Sequence, residues 1–242
     1  MPEKERRHMA LKRKPPSGNV RRVAPIGGNL RYTVTGKTDQ TVQCESFQER
    51  KLTLRFDRDP SIRTYMSQPE RLTYLDTEGK THTYTPDFMV GRDTGEIEIH
   101  EVTLTSGRDK PSIQEREKAA RKICQERGWH YIVHTEATLP QATEEANLLA
   151  LARYRPTAYA NRDVADCVKI RLANASSPVL FLTLLTEITH ALHLQEAPVV
   201  SALCHLLWHN QLETDLCRSL IFHNAAPRAN LPIWLPKERK AR

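Results

Sequence analysis

The stretches Tyr84-Thr85-Pro86-Asp87-Phe88 and Ile97-Glu98-Ile99-His100-Glu101-Val102-Thr103 decide how this chain reads. Together they set one carboxylate at the end of a β-run and a second in the middle of the next. Side chains two apart in a strand share a face, so Glu101 and Thr103 point the same way while Val102 turns into the opposite layer. Asp87 follows a proline, which favours extended backbone and suits a bend where two antiparallel strands diverge. If those strands pair, Asp87 and Glu101 converge on one cation. Oxygen ligands of this kind suit Mg²⁺ or Mn²⁺, which keep several waters and accept one or two carboxylates plus a phosphate oxygen. Such a metal lowers the pKa of bound water and neutralises charge in a transition state. Glu49, on a preceding helix, is the natural third carboxylate. Each residue also has a plainer reading: Pro86-Asp87 as a turn, Glu49 as half of a capping box, Glu101 as a solvated strand residue. Their order on helix, strand and strand favours a shared site.

The flanking sequence supplies the elements. Ser46-Phe47-Gln48-Glu49 has the form of a capping box, opening a helix to about Phe56 that buries Phe47, Leu52 and Leu54 or Phe56. Arg71 to Leu75 and Lys80 to Thr85 alternate around the turn Asp76-Thr77-Glu78-Gly79 and read as a hairpin, with Phe88 to Val90 continuing its second strand. Arg92-Asp93-Thr94-Gly95 turns the chain into a third strand, Glu96 to Leu104. A second capping box, Ser112-Ile113-Gln114-Glu115, starts a helix closed by Gly128, with Ile113, Ala120, Ile123 and Cys124 on one face. Trp129 to His134 is then a short strand. A helix between the third and fourth strands implies a parallel crossover packed on a mixed sheet. Beyond Pro140 the β signals fade. Glu144 to Tyr154, Ala160 to Leu172, Val179 to Leu194 and Pro198 to Asn210 read as helices, followed by an extended piece, Gln211 to Leu216.

The chain has 242 residues and a formal charge of +7, which fits a polyanionic partner. Basic residues crowd both ends, as solvated tails or as nucleic-acid arms. The five cysteines are widely spaced, without CxxC or finger spacing, and read as reduced thiols of a cytoplasmic protein. No signal-peptide core precedes them, and the most apolar run, Val179 to Leu194, is interrupted by Glu187 and His190 and too short to span a bilayer, so no membrane partner is expected. His190/His193 and His205/His209 imitate metal-ligand spacing but lack an acid of the HExxH type, and read as surface or hydrogen-bonded histidines. Trp208, Trp234 and Phe181 read as core.

The runs Glu45-Ser46-Phe47-Gln48-Glu49-Arg50, Phe56-Asp57-Arg58-Asp59-Pro60, Gln68-Pro69, Tyr84-Thr85-Pro86-Asp87-Phe88 and Glu101-Val102 resemble the TnsA family. These are restriction-endonuclease-like subunits of heteromeric transposases, in the PD-(D/E)xK superfamily. The resemblance covers roughly Cys44 to Leu216 and is strongest over its first half. It implies an α/β fold: a mixed-sheet core of order αβββαβ over residues 41–140, then a mainly helical, winged-helix-like domain over 141–236. A basic N-terminal arm (1–40) and a basic tail (237–242) flank these. It implies that Glu49, Asp87 and Glu101 are catalytic carboxylates or metal ligands, with Val102 in the ligand set. The implied activity is Mg²⁺- or Mn²⁺-dependent hydrolysis at the 5′ ends of a transposable element. The implied partners are transposon-end DNA, a DDE transposase subunit and an ATPase regulator.

One position departs from the family: Thr103 stands where a lysine is expected. Threonine can hydrogen-bond a water but carries no charge, and losing one preorganised charge costs on the order of 10²–10³ in rate. Lys110 or Lys118 could supply it, the metals could suffice, or the subunit serves assembly without chemistry. A pseudo-nuclease and a stand-alone restriction or defence nuclease are the alternatives.

Overall fold

A computed structural model describes residues 32–220, 222–223, 226–227 and 231–236. The basic arm before residue 32 and the tail at 237–242 lie outside them. The fold divides into two compact units with the boundary at Leu139/Pro140, Arg58–Pro60 grouping with the second.

In the first unit, β1 (Tyr32–Thr35) and β2 (Thr41–Cys44) form an antiparallel pair. Helix α1 spans Phe47–Arg58. The capping box forms: Glu49 N–H donates to Ser46 Oγ at 3.1 Å, and Ser46 Oγ donates to Glu49 Oε1 at 2.8 Å. The main sheet then has the order β3 (Ile62–Ser67), β6 (Phe88–Arg92), β7 (Ile97–Val102), β8 (His130–His134). Its first two pairings are antiparallel and β7–β8 is parallel. The crossover carries α2 (Thr105–Arg108) and α3 (Pro111–Glu126).

This differs from the expected order in one respect. The hairpin of β4 (Leu72–Leu75) and β5 (Thr81–Tyr84) forms as predicted, but as a separate two-stranded sheet. Its place in the main sheet is taken by β3, whose burial breaks strict alternation around a register shift between Ile62 and Thr64. Phe88 to Val90 therefore starts a new strand, because the chain bends at Pro86-Asp87.

Register puts Tyr65, Val90 and Glu98 in one row and Ser67, Phe88 and His100 in the next. Phe56 of α1 packs on that face, with ring centroids 5.2 Å from Tyr65, 5.5 Å from Phe88 and 5.0 Å from His100. Phe56→Ala would empty the centre of this core at a cost of about 3–5 kcal/mol. Phe47, expected inside, is exposed and lies beneath Arg50 and Lys51. On the other face, Ile99 and Glu101 look toward α3, whose Ala120 and Cys124 are buried.

The second unit holds α4 (Ala142–Ala152), α5 (Arg162–Ala173), α6 (Phe181–Leu192) and α7 (Glu196–Trp208). The long apolar run from Val179 resolves into a two-residue strand, β9 (Val179–Leu180), and α6, which ends where His193 adopts a left-handed φ of 52°. Strands β10 (Phe222–His223) and β11 (Ala226–Pro227) pair with each other, and β12 (Pro232–Ile233) pairs with β9. Expected extension at Gln211–Leu216 reduces to one bridge, Glu213 to Trp234. Phe181 and Trp208 are core; Trp234 is half-buried and donates its indole N–H to Glu213 Oε2 at 2.8 Å. Among the described residues no helix is long and apolar enough to cross a membrane.

Candidate active site

The carboxylates meet where β6 begins and β7 ends. Gln68 holds the bend: its backbone, at a φ of 49°, donates N–H to the Asp87 carbonyl at 2.8 Å. Asp87 then turns its side chain to the end of β7 and accepts the Val102 N–H on Oδ2 at 2.7 Å. That strand-end amide has no β6 partner because the two strands have parted.

Glu101 lies beside it, buried, with Oε1 accepting Arg116 Nη2 at 2.6 Å. Among the described residues its Oε2 has no hydrogen-bond partner, and neither does Thr103 Oγ1 on the same face. Burial, then the charges of Glu101 and Glu49, push Asp87 well above the usual carboxylate range. Burial also raises Glu101, to about 7, against the pull of Arg116 and of the Asp87 backbone N–H. The buried Cys44 thiol is raised by desolvation, with further contributions from Glu49 and Asp87. The three predicted carboxylates therefore share one electrostatic neighbourhood.

They do not share it equally. Glu49 spends both oxygens on the capping box, Oε1 on Ser46 and Oε2 on the Glu45 N–H at 2.8 Å. Among the described residues no three His, Cys, Asp or Glu side chains come together as a metal-binding group. Asp87 and Glu101 form the inner pair, with Val102 contributing backbone between them. Oxygen donors, one of them unpartnered, in a site that disfavours two adjacent negative charges, fit a hard divalent cation.

Of the cations expected from sequence, Lys110 is the exposed N-cap of α3. Lys118 faces a groove of about 500 Å³ against β4, lined also by Tyr74, Asp76, Glu115 and Lys122 but by none of the three carboxylates. Arg116 reaches Glu101 instead. Two residues apart on a helix is roughly 200° of rotation, so Arg116 and Lys118 serve opposite faces. A signal for Arg116 was present: with Glu117 it falls at the i+3 and i+4 positions between Ile113 and Ala120, inside the apolar stripe of α3.

Residues 59–136 match the family model described as TnsA-like endonuclease N terminal. Over this stretch the chain is TnsA-like. The match contains Asp87, Glu101, Thr103 and Arg116, whereas Glu49 precedes it. No curated protein matches the chain.

The histidine pairs lie elsewhere. His190 and His193 are exposed, while His205 and His209 bond the carbonyls of Tyr154 at 2.8 Å and Arg155 at 3.0 Å.

Proposed function

We propose that this chain is a metal-dependent DNA endonuclease subunit of a transposase, hydrolysing phosphodiester bonds at the 5′ ends of a mobile element alongside a DDE subunit. The observation that carries this reading is the meeting of Asp87 and Glu101 at the diverging strand ends, inside the segment with the TnsA-like match.

Asp87 and Glu101 would hold Mg²⁺ or Mn²⁺, with Val102 and Glu49 the further candidates. When bound, the cation lowers the pKa of a water and offsets charge on the phosphodiester. The protein's own contribution is preorganisation. Val102 N–H and the Gln68 clamp fix Asp87, the Arg116 guanidinium fixes Glu101, and Thr103 presents a hydroxyl to a water. The helices and short strands of the second unit are read as a winged-helix-like module for DNA, the DDE subunit and an ATPase regulator. A cytoplasmic location accompanies that role.

One observation favours a second reading: among the described residues the inner site is the pair Asp87 and Glu101, and residue 103 carries no charge. A pseudo-nuclease used for assembly would have this appearance. The deciding experiment is nicking of end-containing DNA with Mn²⁺ and partner proteins, comparing wild type with Asp87→Ala. Cleavage lost in the variant supports the nuclease. Equal, negligible cleavage together with normal transposition by Asp87→Ala supports the assembly subunit.

A further inference from the structure

Buried polar atoms without partners are rare in folded proteins. Of the seven found among the described residues, four belong to Glu101 and the groups that act on it: Glu101 Oε2, Arg116 Nε and the hydroxyls of Tyr84 and Tyr131, with Thr103 Oγ1 two residues along the chain. The two tyrosine hydroxyls approach each other closely enough to perturb one another, and neither reaches a third partner among the described residues. Desolvation raises both phenols, and Glu101 raises them further. This polar pocket sits on the α3 side of β7.

Arg116 is its organising group. The guanidinium carbon lies over the Tyr84 ring, 5.2 Å from its centroid, a cation–π contact. Nη2 reaches Glu101 Oε1 at 2.6 Å, and the side chain is 22% exposed. A flexible surface pair would contribute little. This pair is largely buried, Glu101 at 6% side-chain exposure.

We propose that Arg116 is the positioning residue of the Asp87–Glu101 site, clamping Glu101 by one oxygen and supplying the fixed positive charge beside the carboxylate pair. The assignment rests on the nuclease reading. With Oε1 held, Oε2 is left to face a cation or a water. The same charge offsets the repulsion between Glu101 and Asp87. Thr103, two residues along the same face, is near enough to carry a substitute charge.

The test compares wild type, Arg116→Lys, Arg116→Met and the double variant Arg116→Met with Thr103→Lys in two measurements on the full chain. In the first, Mn²⁺-dependent nicking is resolved into kcat and KM. Arg116→Met lowers kcat by about 10²–10³ with KM for DNA changed less than about threefold. Arg116→Lys keeps most of the rate, and the double variant regains at least about tenfold over Arg116→Met. In the second, thermal melting is followed without metal and then with Mn²⁺. Arg116→Met melts lower without metal, adding Thr103→Lys restores it, and Mn²⁺ raises Arg116→Met by more degrees than wild type.

Wild-type kcat in Arg116→Met, or a melting loss that neither Thr103→Lys nor Mn²⁺ repairs, overturns the assignment while leaving the nuclease reading intact. Absence of cleavage by wild type and Asp87→Ala alike overturns the nuclease reading itself. Should Arg116→Met fail to fold, Arg116→Lys and the double variant decide: cleavage by neither overturns the assignment.

Discussion

Strand β7 carries Glu98 and Glu101 on opposite faces, and the two faces treat an acid in contrary ways. Both residues are almost wholly buried, at 9% and 5% exposed, so burial alone does not separate them. Glu98 is held by two donors on one oxygen. Its Oε2 meets Arg92 Nη2 at 2.9 Å and His100 Nε2 at 3.0 Å, and His100 Nδ1 continues to His134 Nε2 at 2.7 Å. Although burial raises its pKa, the bonds from His100 and Arg92 hold it down at about 2. Glu101 has the Arg116 guanidinium on Oε1, the Asp87 backbone N–H nearby and a second carboxylate as neighbour. Its Oε2 makes no full hydrogen bond among the described residues, and burial carries the carboxyl up to about 7. A satisfied network specifies a fold; an unsatisfied one marks a place that something else completes.

The largest separation is expected in catalysis. Asp87→Ala or Glu101→Ala abolishes Mn²⁺-dependent nicking, by roughly 10³-fold or more, while Glu98→Ala leaves kcat per folded molecule unchanged. A kcat loss in Glu98→Ala as large as in Asp87→Ala would erase the distinction between the faces.

Stability reverses the ranking. Glu98→Ala strands Arg92 and His100 and costs about 2–3 kcal/mol, read by urea denaturation. Asp87→Asn keeps an acceptor for Val102 N–H and removes a repelled charge, so the metal-free protein melts at an equal or higher temperature.

Metal sharpens the contrast next. At about one hundred times its dissociation constant, Mn²⁺ stabilises wild type by about 2.7 kcal/mol, and Asp87→Asn by little. Equal stabilisation of both would place the cation elsewhere.

The smallest effect is on pH. Glu101 is raised in the fold, so between about 4.5 and 7 the native state holds more protons than the unfolded one, and stability falls as pH rises. His134 works against this: burial, then His100, lowers it to about 4, so its contribution is lost as pH falls from 6.5 toward 4. Glu98 loses its contribution only as pH falls below 4.5 toward 2. Removing Glu101 as Gln should therefore flatten the metal-free decline, a change read as a shallower fall of Tm across that window. An unchanged slope would show that Glu101 does not titrate there.

The same contrast explains what was legible in the sequence. Asp87 and Glu101 could be read because proline punctuation and strand alternation are local signals. Glu49 could be read twice, as a cap and as a site acid, and the structure gives its oxygens to the cap. Strand β3 escaped because Ile62–Ser67 carries a bulge and exposed polar positions that hide its period. Arg116 escaped for a different reason. Arginine on an amphipathic helix defaults to solvent, and only the phase of the α3 stripe shows that this one turns inward. The Glu98–His100–His134 network was hidden because His134 comes from a different strand, joined by parallel pairing rather than sequence.

Anomalous diffraction from crystals soaked in Mn²⁺ tests the central claim most directly. The account predicts a peak within bonding distance of Asp87 and Glu101, with Arg116 still holding the other Glu101 oxygen. A peak at Glu98 and His100, or none near Asp87 in a protein that binds Mn²⁺ in solution, would contradict it.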